Sequence, residues 1–456
     1  MRQTLFYIPN EIFGLPLVKP ETTGWGFGLL LAFVAILGGG YLLARIRRDG
    51  FDGEARNSLI VLLVVCAGII VVAPRLLDEA PDGSLGLPVR GYGVMLLGAV
   101  LTGVLVATRR AKQAGLHPDV ILSAGFWIFI FGIAGARLLY IVRHLDQFEG
   151  KSFSEILSGT LNVTQGGLVV YGGLIGGTVG FLIFAVKNKI KLLPFADLIA
   201  ASLVIGQAIG RLGCLMNGCC FGGVCDLPYA AVTFPWGSPP HSHQLRVSDA
   251  DVLGILLEGE SKTMGATIRE VTPGSPADVA GLQPGETVRK VNKTPIHSND
   301  ELVGKLVIDA QQMASDDIRE FQLFMTDSSG NPIAPRTLAV PKELPRSLPV
   351  HPTQIYGFVN GLLFFIFAWF LFPFRRRDGE VFATLLLLFP LTRFLMEMIR
   401  TDEPQNFFIG MTISQTISLA LSLGGCSLWV WLLKQPKGKI AGPEVWEPVN
   451  KRFVGE

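Results

Sequence analysis

Nine stretches of the chain stay apolar for about 18 residues or more, the length that crosses a hydrocarbon core. They lie near 24–45, 58–75, 91–108, 120–142, 167–187, 196–216, 354–373, 381–399 and 412–434. The pattern predicts a polytopic bundle of transmembrane helices. Cationic clusters follow the first run (Arg45, Arg47, Arg48), the third (Arg109, Arg110, Lys112), the fifth (Lys187, Lys189, Lys191), the seventh (Arg375, Arg376, Arg377) and the ninth (Lys434, Lys437, Lys439). Every second connection is therefore positive. Because cytoplasmic loops collect Lys and Arg, this predicts an outer N-terminus, a cytoplasmic C-terminus and an outer 217–350 connection. The first run follows a segment without a Lys/Arg-rich start and precedes no A-x-A site, so it is read as an anchor rather than a cleaved signal.

The apolar pattern breaks between 245 and 350, a segment with 26 charged residues. Within it Gly265-Ala-Thr-Ile-Arg-Glu-Val predicts a strand, Pro273-Gly-Ser-Pro-Ala a turn opening a short helix, and Thr287-Val-Arg-Lys-Val-Asn a second strand. A folded extramembrane insert is expected there. Over the whole chain, 49% of residues are hydrophobic and 17% charged, with a mean hydropathy of +0.44. A soluble domain carries about 25% charged residues, so a single soluble globule is excluded. Lys plus Arg number 39 against 37 Asp plus Glu. No polybasic field is present to gather nucleic acid by counterion release.

Ionisable side chains inside apolar runs are costly and mark function. Here they are Arg137 in the fourth run, Asp197 and Arg211 in the sixth, and Arg393 and Glu397 in the eighth, with Arg400 at the end of that run. Arg393, Glu397 and Arg400 are spaced four and three apart and share one helix face. Arg393 with Glu397 alone would read as a structural ion pair. Three buried-type arginines exceed what one acid neutralises, and an anionic ligand is the economical partner. Guanidinium groups suit a phosphate diester because they bind it with planar, bidentate hydrogen bonds and stay charged in apolar surroundings.

The fifth run opens Gly166-Gly-Leu-Val-Val-Tyr171-Gly-Gly-Leu-Ile-Gly176-Gly177. Gly172/Gly176 and Gly173/Gly177 each have the spacing of close helix packing. The glycines also leave room for a lipid chain or headgroup beside Tyr171, and spacing alone leaves both readings standing. Cys66 and Cys426 read as small apolar residues within runs. Cys214, Cys219, Cys220 and Cys225 cluster at one end of the sixth run. In an outer, oxidising compartment one or two disulfides among them are the first reading. A metal site is the second, because C-x4-C-C-x4-C is not a standard zinc spacing although His241, His243 and His351 lie within reach in sequence. A reactive thiol ranks third.

Two resemblances add to this. Residues 250–343, above all GSPADVAGLQPGETVRKVN, resemble a bacterial-type PDZ domain, with Leu253-Gly254-Ile255 where that family's carboxylate-binding loop stands. The resemblance implies capture of a protein C-terminus as an added strand; a PDZ-like spacer without ligand is the alternative. The remainder, 85–216 and 350–434, resembles the prolipoprotein diacylglyceryl transferase family. The motifs are the Gly210-Arg211 signature with Asn217 and Gly218 downstream, the YGGLIGG run, His351-Pro-Thr-Gln354-Ile-Tyr356, and Arg393-Phe-Leu-Met-Glu-Met-Ile-Arg400.

That resemblance implies a seven-helix core, preceded here by two extra spans. The expected domains are 1–84, 85–216, an insert at 217–350 and 351–456. It implies transfer of the diacylglyceryl group of phosphatidylglycerol to the cysteine of a prolipoprotein signal peptide at the bacterial inner membrane. Arg211, Arg393, Glu397 and Tyr171 fall in catalytic positions, with Tyr92, Arg137, Asn217, Gly222, His351, Gln354 and Arg400 against substrate. No redox cofactor, nucleotide or metal is implied. The sequence departs from the family at Tyr171 for its usual His, Cys214 for its Asn, Cys219 for its acid, and Gly357 for an acid after the HPxQ-x-Tyr motif. The rival readings are a phospholipid- or lipoprotein-binding homologue without turnover and a transferase with another acceptor.

Overall fold

The computed structural model describes residues 4–12, 15–16, 29–50, 53–72, 77–79, 85–143, 169–227, 230–247, 253–258, 265–313, 320–401, 410–438 and 440–454. Two compact units divide the chain, one made of 2–199 with 440–456 and the other of 200–439.

In the first unit, β1 (Thr4–Pro9) pairs antiparallel with β5 (Leu85–Arg90), and the short β4 (Asp78–Glu79) completes that sheet. The hydrophobic pattern had suggested no strand outside the insert, because the pairing joins segments some 80 residues apart (Ile8 opposite Leu87) and leaves no local trace. A second small ribbon joins β2 (Glu11–Ile12) to β3 (Leu15–Pro16). Helices α1 (Leu29–Asp49), α2 (Gly53–Val72), α3 (Gly91–Gln113), α4 (Pro118–Arg143) and α5 (Val170–Lys187) follow.

The glycine run of α5 packs on α4. A Cβ on Gly176 would lie 2.2 Å from the Phe131 carbonyl oxygen, and one on Gly135 would lie 2.4 Å from that of Gly172. Gly180 continues the seam at 2.7 Å from the Trp127 carbonyl. Gly172, Gly176 and Gly180 are therefore backbone contacts, the means by which membrane helices gain dispersion energy without a hydrophobic driving force. Gly173 and Gly177 are looser, with nearest approaches of 3.6 and 3.4 Å. Gly166 to Leu168, the start of that motif, lie outside the described residues. The C-terminal helix α13 (Glu447–Val454) returns to this unit, where Asn450 accepts from the His117 N–H at 2.9 Å and buried Trp446 meets the Phe195 ring edge-on.

Helix α6 (Leu192–Asn217) passes from the first unit into the second. The second unit continues with an α+β insert and ends in α10 (Thr353–Leu371), α11 (Glu380–Glu397) and α12 (Ile413–Leu433). The insert holds α7 (Pro239–Val247), β6 (Ile255–Leu257), β7 (Ala266–Val271), α8 (Pro276–Val279), β8 (Thr287–Val291), β9 (Thr294–Pro295), α9 (Asn299–Met313), β10 (Glu320–Thr326) and β11 (Arg336–Ala339). Both expected strands and the short helix between them are present. Its sheet runs β11-β10-β8-β7-β6 with β9 paired to β8, so β6 is an edge among the described residues. Ile268, Val288, Val291, Leu306, Phe321 and Leu323 are fully buried in a core of the insert's own.

Among the described residues six helices are long and apolar enough to cross a membrane: Leu30–Arg48, Gly91–Gln113, Pro118–Arg143, Leu192–Asn217, Thr353–Phe374 and Ile413–Leu433. The second and fifth expected runs fall in α2 and α5, whose apolar stretches, Ser58–Ile70 and Tyr171–Lys187, are shorter. The eighth is α11, which carries Glu380, Arg393 and Glu397 within 18 residues.

Candidate functional site

The second unit gathers most of the sequence-predicted site residues around the end of α6. Beyond Asn217 the chain turns at Gly218, whose φ of +76° suits glycine. Residues 219–225 then run as an irregular strand between two other segments. The Gly222 N–H donates to the His351 carbonyl at 3.0 Å, the His351 N–H donates to Gly223 at 3.0 Å, and the Gly223 N–H donates to Ile399 at 2.9 Å. Gly222 thereby pairs with Arg400 across the same strand. A Cβ at Gly222 would meet His351 Cβ at 2.7 Å, so the close approach admits glycine alone. From the first turn of α10, Gln354 Nε2 donates to the Cys219 carbonyl at 2.7 Å and Thr353 Oγ1 to the Cys220 carbonyl at 2.5 Å. His351 Nδ1 lies 3.4 Å from the Tyr356 hydroxyl.

The charges come from α11 and α6. Glu397, 1% exposed, accepts from Arg393 Nη1 and, at 3.1 Å, from Arg400 Nη1, while Thr412 Oγ1 donates to its other oxygen at 3.4 Å. Arg393 Nη2 also donates to Ser414 Oγ at 3.3 Å. Two guanidiniums share one carboxylate in a largely buried place. Arg211 supplies a further guanidinium. Its side chain crosses the face of α10 where Gly357 stands, with Cδ 3.1 Å from where a Cβ would be. Glycine at 357 leaves that path open. Among the described residues Arg211 makes no hydrogen bond or ion pair.

Three thiols complete the cluster. Sγ atoms of Cys214, Cys219 and Cys220 lie within 4.8 Å of one another. Asn217 hydrogen-bonds the Cys219 thiol. The Cys220 thiol is drawn well below the ordinary thiol range, first by the neighbouring Cys214 and Cys219 thiols and then by the Arg400 and Arg211 charges. Cys225 is buried apart from them, its Sγ toward the Leu227 carbonyl at 3.9 Å. All six cysteines are unpaired thiols in the structure.

Four further expected residues, Tyr92, Arg137, Tyr171 and Asp197, fall in the first unit. Arg137 stacks its guanidinium 5.0 Å over the Tyr140 ring, Asp197 is buried, and Tyr171 starts α5 half-buried at the glycine seam. Leu253 and Gly254 form a tight left-handed turn into β6 (φ 57° and +94°), and a Cβ at Gly254 would collide with Ser275.

Sequence reasoning missed Thr412, Ser414 and Thr353. Thr412 had a signal: Thr412-Ile-Ser-Gln415 ahead of an apolar run is a capping box. The structure forms it, with the Gln415 N–H donating to Thr412 Oγ1 at 3.1 Å and the Thr412 N–H donating to Gln415 Oε1 at 3.0 Å. The box orders the α12 N-terminus against Glu397.

Residues 83–431 match the model of the family described as prolipoprotein diacylglyceryl transferase. The chain belongs to that family. A relative named phosphatidylglycerol–prolipoprotein diacylglyceryl transferase from Rhodopirellula baltica is 31% identical over 451 residues, covering 92% of this chain and 87% of the relative. Proteins of the same name from Trichormus variabilis and, as a second such enzyme, from Clostridium perfringens are 34% identical over 143 and 137 residues. Those matches cover 31% and 30% of this chain, and the chain spans about half the length of each (49% and 52%). Family membership and the six apolar helices make this an inner-membrane protein.

Proposed function

We propose that the chain is a transferase that moves the diacylglyceryl group of phosphatidylglycerol onto the lipobox cysteine thiol of prolipoproteins. The observation that carries this is Arg211, a guanidinium with no acceptor among the described residues, beside the Arg393–Glu397–Arg400 cluster, in a chain of this family. The reaction is displacement at a glyceryl carbon. A carbon–sulfur bond forms, the carbon–oxygen bond to phosphate breaks, and glycerol phosphate leaves with the electron pair. Donors aimed at the departing phosphate lower the barrier because charge grows there. Arg211, with no acceptor among the described residues, does this, with Arg393 and Arg400 held in place by Glu397. The carboxylate of Glu397, already accepting from two arginines and a threonine, positions them and is not the proton acceptor.

Labelled phosphatidylglycerol and a lipobox peptide, incubated with the purified full chain, should yield a labelled thioether peptide. Lipid binding without product would favour a non-catalytic homologue. A labelled product on some other acceptor alone would favour the third reading.

Nine spans, including α2, α5 and α11, account for the alternating cationic clusters and put the 217–350 segment and the site on the periplasmic side. A reporter fused after residue 300 then reads external and one after 377 cytoplasmic; the reverse at either site overturns the arrangement. For the insert, an edge strand β6 entered through the Leu253–Gly254 turn supports a PDZ-like domain that adds a protein C-terminus as a strand. Amidating a bound peptide's terminal carboxylate should abolish its binding.

A further inference from the structure

We propose that Cys214, Cys219 and Cys220 hold a thiophilic metal ion, zinc in the cell, whose open fourth position binds and activates the incoming substrate thiol. The inference rests on the transferase reading above and adds the device that makes the nucleophile.

The three sulfurs lie within 4.8 Å of one another. Tetrahedral zinc with bonds of about 2.3 Å needs ligand sulfurs about 3.8 Å apart, so closing on the ion requires shifts of about an ångström or less. The backbone is arranged to aim them. Cys214 sits on the last turns of α6, the Cys219 N–H donates to the Cys214 carbonyl at 3.1 Å, and Cys220 adopts a φ of 57°, uncommon for a residue with a side chain. Gln354 and Thr353 fix the carbonyls of Cys219 and Cys220 from α10. A left-handed cysteine held by its neighbours points to a defined use for its sulfur.

Charge fits as well. Zinc with three thiolates is a net monoanion. Arg211 lies three residues before Cys214 on α6, and Arg400 pairs through its backbone with Gly222, two residues past Cys220. Two guanidiniums would repel a site of neutral ligands and suit an anionic one. Among the described residues no fourth His, Cys, Asp or Glu joins the trio. Cys225 turns to the Leu227 carbonyl and His351 faces Tyr356. Three protein ligands, with no fourth among the described residues, fit the pattern of catalytic rather than structural zinc.

A thiol that coordinates such an ion is deprotonated outright. In the proposed step the substrate thiol displaces zinc-bound water and releases its proton to solvent. The zinc-bound thiolate attacks the glyceryl carbon, and glycerol phosphate departs toward Arg211. The resulting thioether is neutral, ligates weakly and gives way to water.

The full chain, purified in detergent under reductant, should contain about one equivalent of zinc by elemental analysis. Cobalt exchanged into it should give sulfur-to-metal charge-transfer absorption and tetrahedral ligand-field bands. Cys220→Ser and Cys214→Ser should each lower metal affinity at least about tenfold. Adding a lipobox peptide should shift the cobalt bands, whereas its Cys→Ser analogue should not. Absence of thiolate bands in protein with reduced thiols, or a disulfide within the trio in protein trapped directly from membranes, overturns the site. Bands indifferent to the peptide thiol overturn the activating role. Undiminished transfer by metal-free protein refutes the inference and leaves the transferase reading standing; a peptide-responsive metal site without transfer does the opposite.

Discussion

The arginines at the end of α11, Arg393 and Arg400, and the arginine of α6 solve the problem of charge in an apolar setting in opposite ways. At the end of α11, Glu397 is 1% exposed and Arg400 6%, and carboxylate, guanidiniums and the Thr412 hydroxyl satisfy one another. On α6, Arg211 reaches across Gly357 and finds no acceptor among the described residues. A saturated network rigidifies its surroundings, whereas an unsatisfied cation stays available to an external anion. On the function proposed above, the first arrangement positions groups and the second meets the departing phosphate.

Breaking the saturated side should have the largest effect. Glu397→Gln removes the carboxylate that Arg393 and Arg400 share, and removing one partner of a buried pair costs about 3–5 kcal/mol. Thermal unfolding in detergent should shift down strongly and activity fall with it. Arg211→Gln should instead leave that unfolding nearly unchanged while lowering the transfer rate by about 100-fold or more, as for loss of a donor to developing charge. Lys at 211 should rescue poorly because it lacks the planar fork. Equal stability losses in the two variants would erase the distinction.

A packing control sharpens it. Gly176→Val puts a side chain where only 2.2 Å separates a Cβ from the Phe131 carbonyl, and overpacking of this kind costs about 1–3 kcal/mol. The same substitution at Gly173, with 3.6 Å available, should be milder; equal effects would mean the seam is not where α4 and α5 touch. Tyr171, beside that seam, is read as a hydrogen-bonding group for headgroup or thiol. Tyr171→Phe should reduce transfer, and Tyr171→His should retain it. Both silent would reduce Tyr171 to packing.

The smallest effect lies in the insert. Burial pushes His241 down to about 4 from its ordinary 6.5, against the Trp236 ring, with Nδ1 accepting from the Gly237 N–H. The unfolded chain then binds more protons than the folded one between those values. Stability of the insert rises with pH across that window, is fully present above about 6.5 and is lost as pH falls toward 4. Hydrogen exchange of α7 and the sheet should accelerate over that range, and His241→Phe should flatten the dependence.

Sequence alone determined the membrane class, because runs of 18 or more apolar residues have no other stable home, and it marked Arg211, Arg393, Glu397 and Arg400, because ionisable side chains are conspicuous in such runs. It also carried the strand–turn–helix–strand order at 265–291, where β alternation and Gly/Pro turn chemistry are local signals. What it could not decide was which charges are already spent. Whether Arg393 pairs with Glu397 was suggested by helical spacing, but Arg400 and Thr412 joining the same carboxylate, and Arg211 remaining outside it, depend on how α10, α11 and α12 pack. The cysteines make the same point: their spacing matches no metal motif, and only the left-handed turn at Cys220, pinned by Gln354 and Thr353 more than 130 residues away, draws three sulfurs together. Long-range contacts of this kind leave no periodicity in the chain, since each partner lies on an element whose own local pattern is already explained.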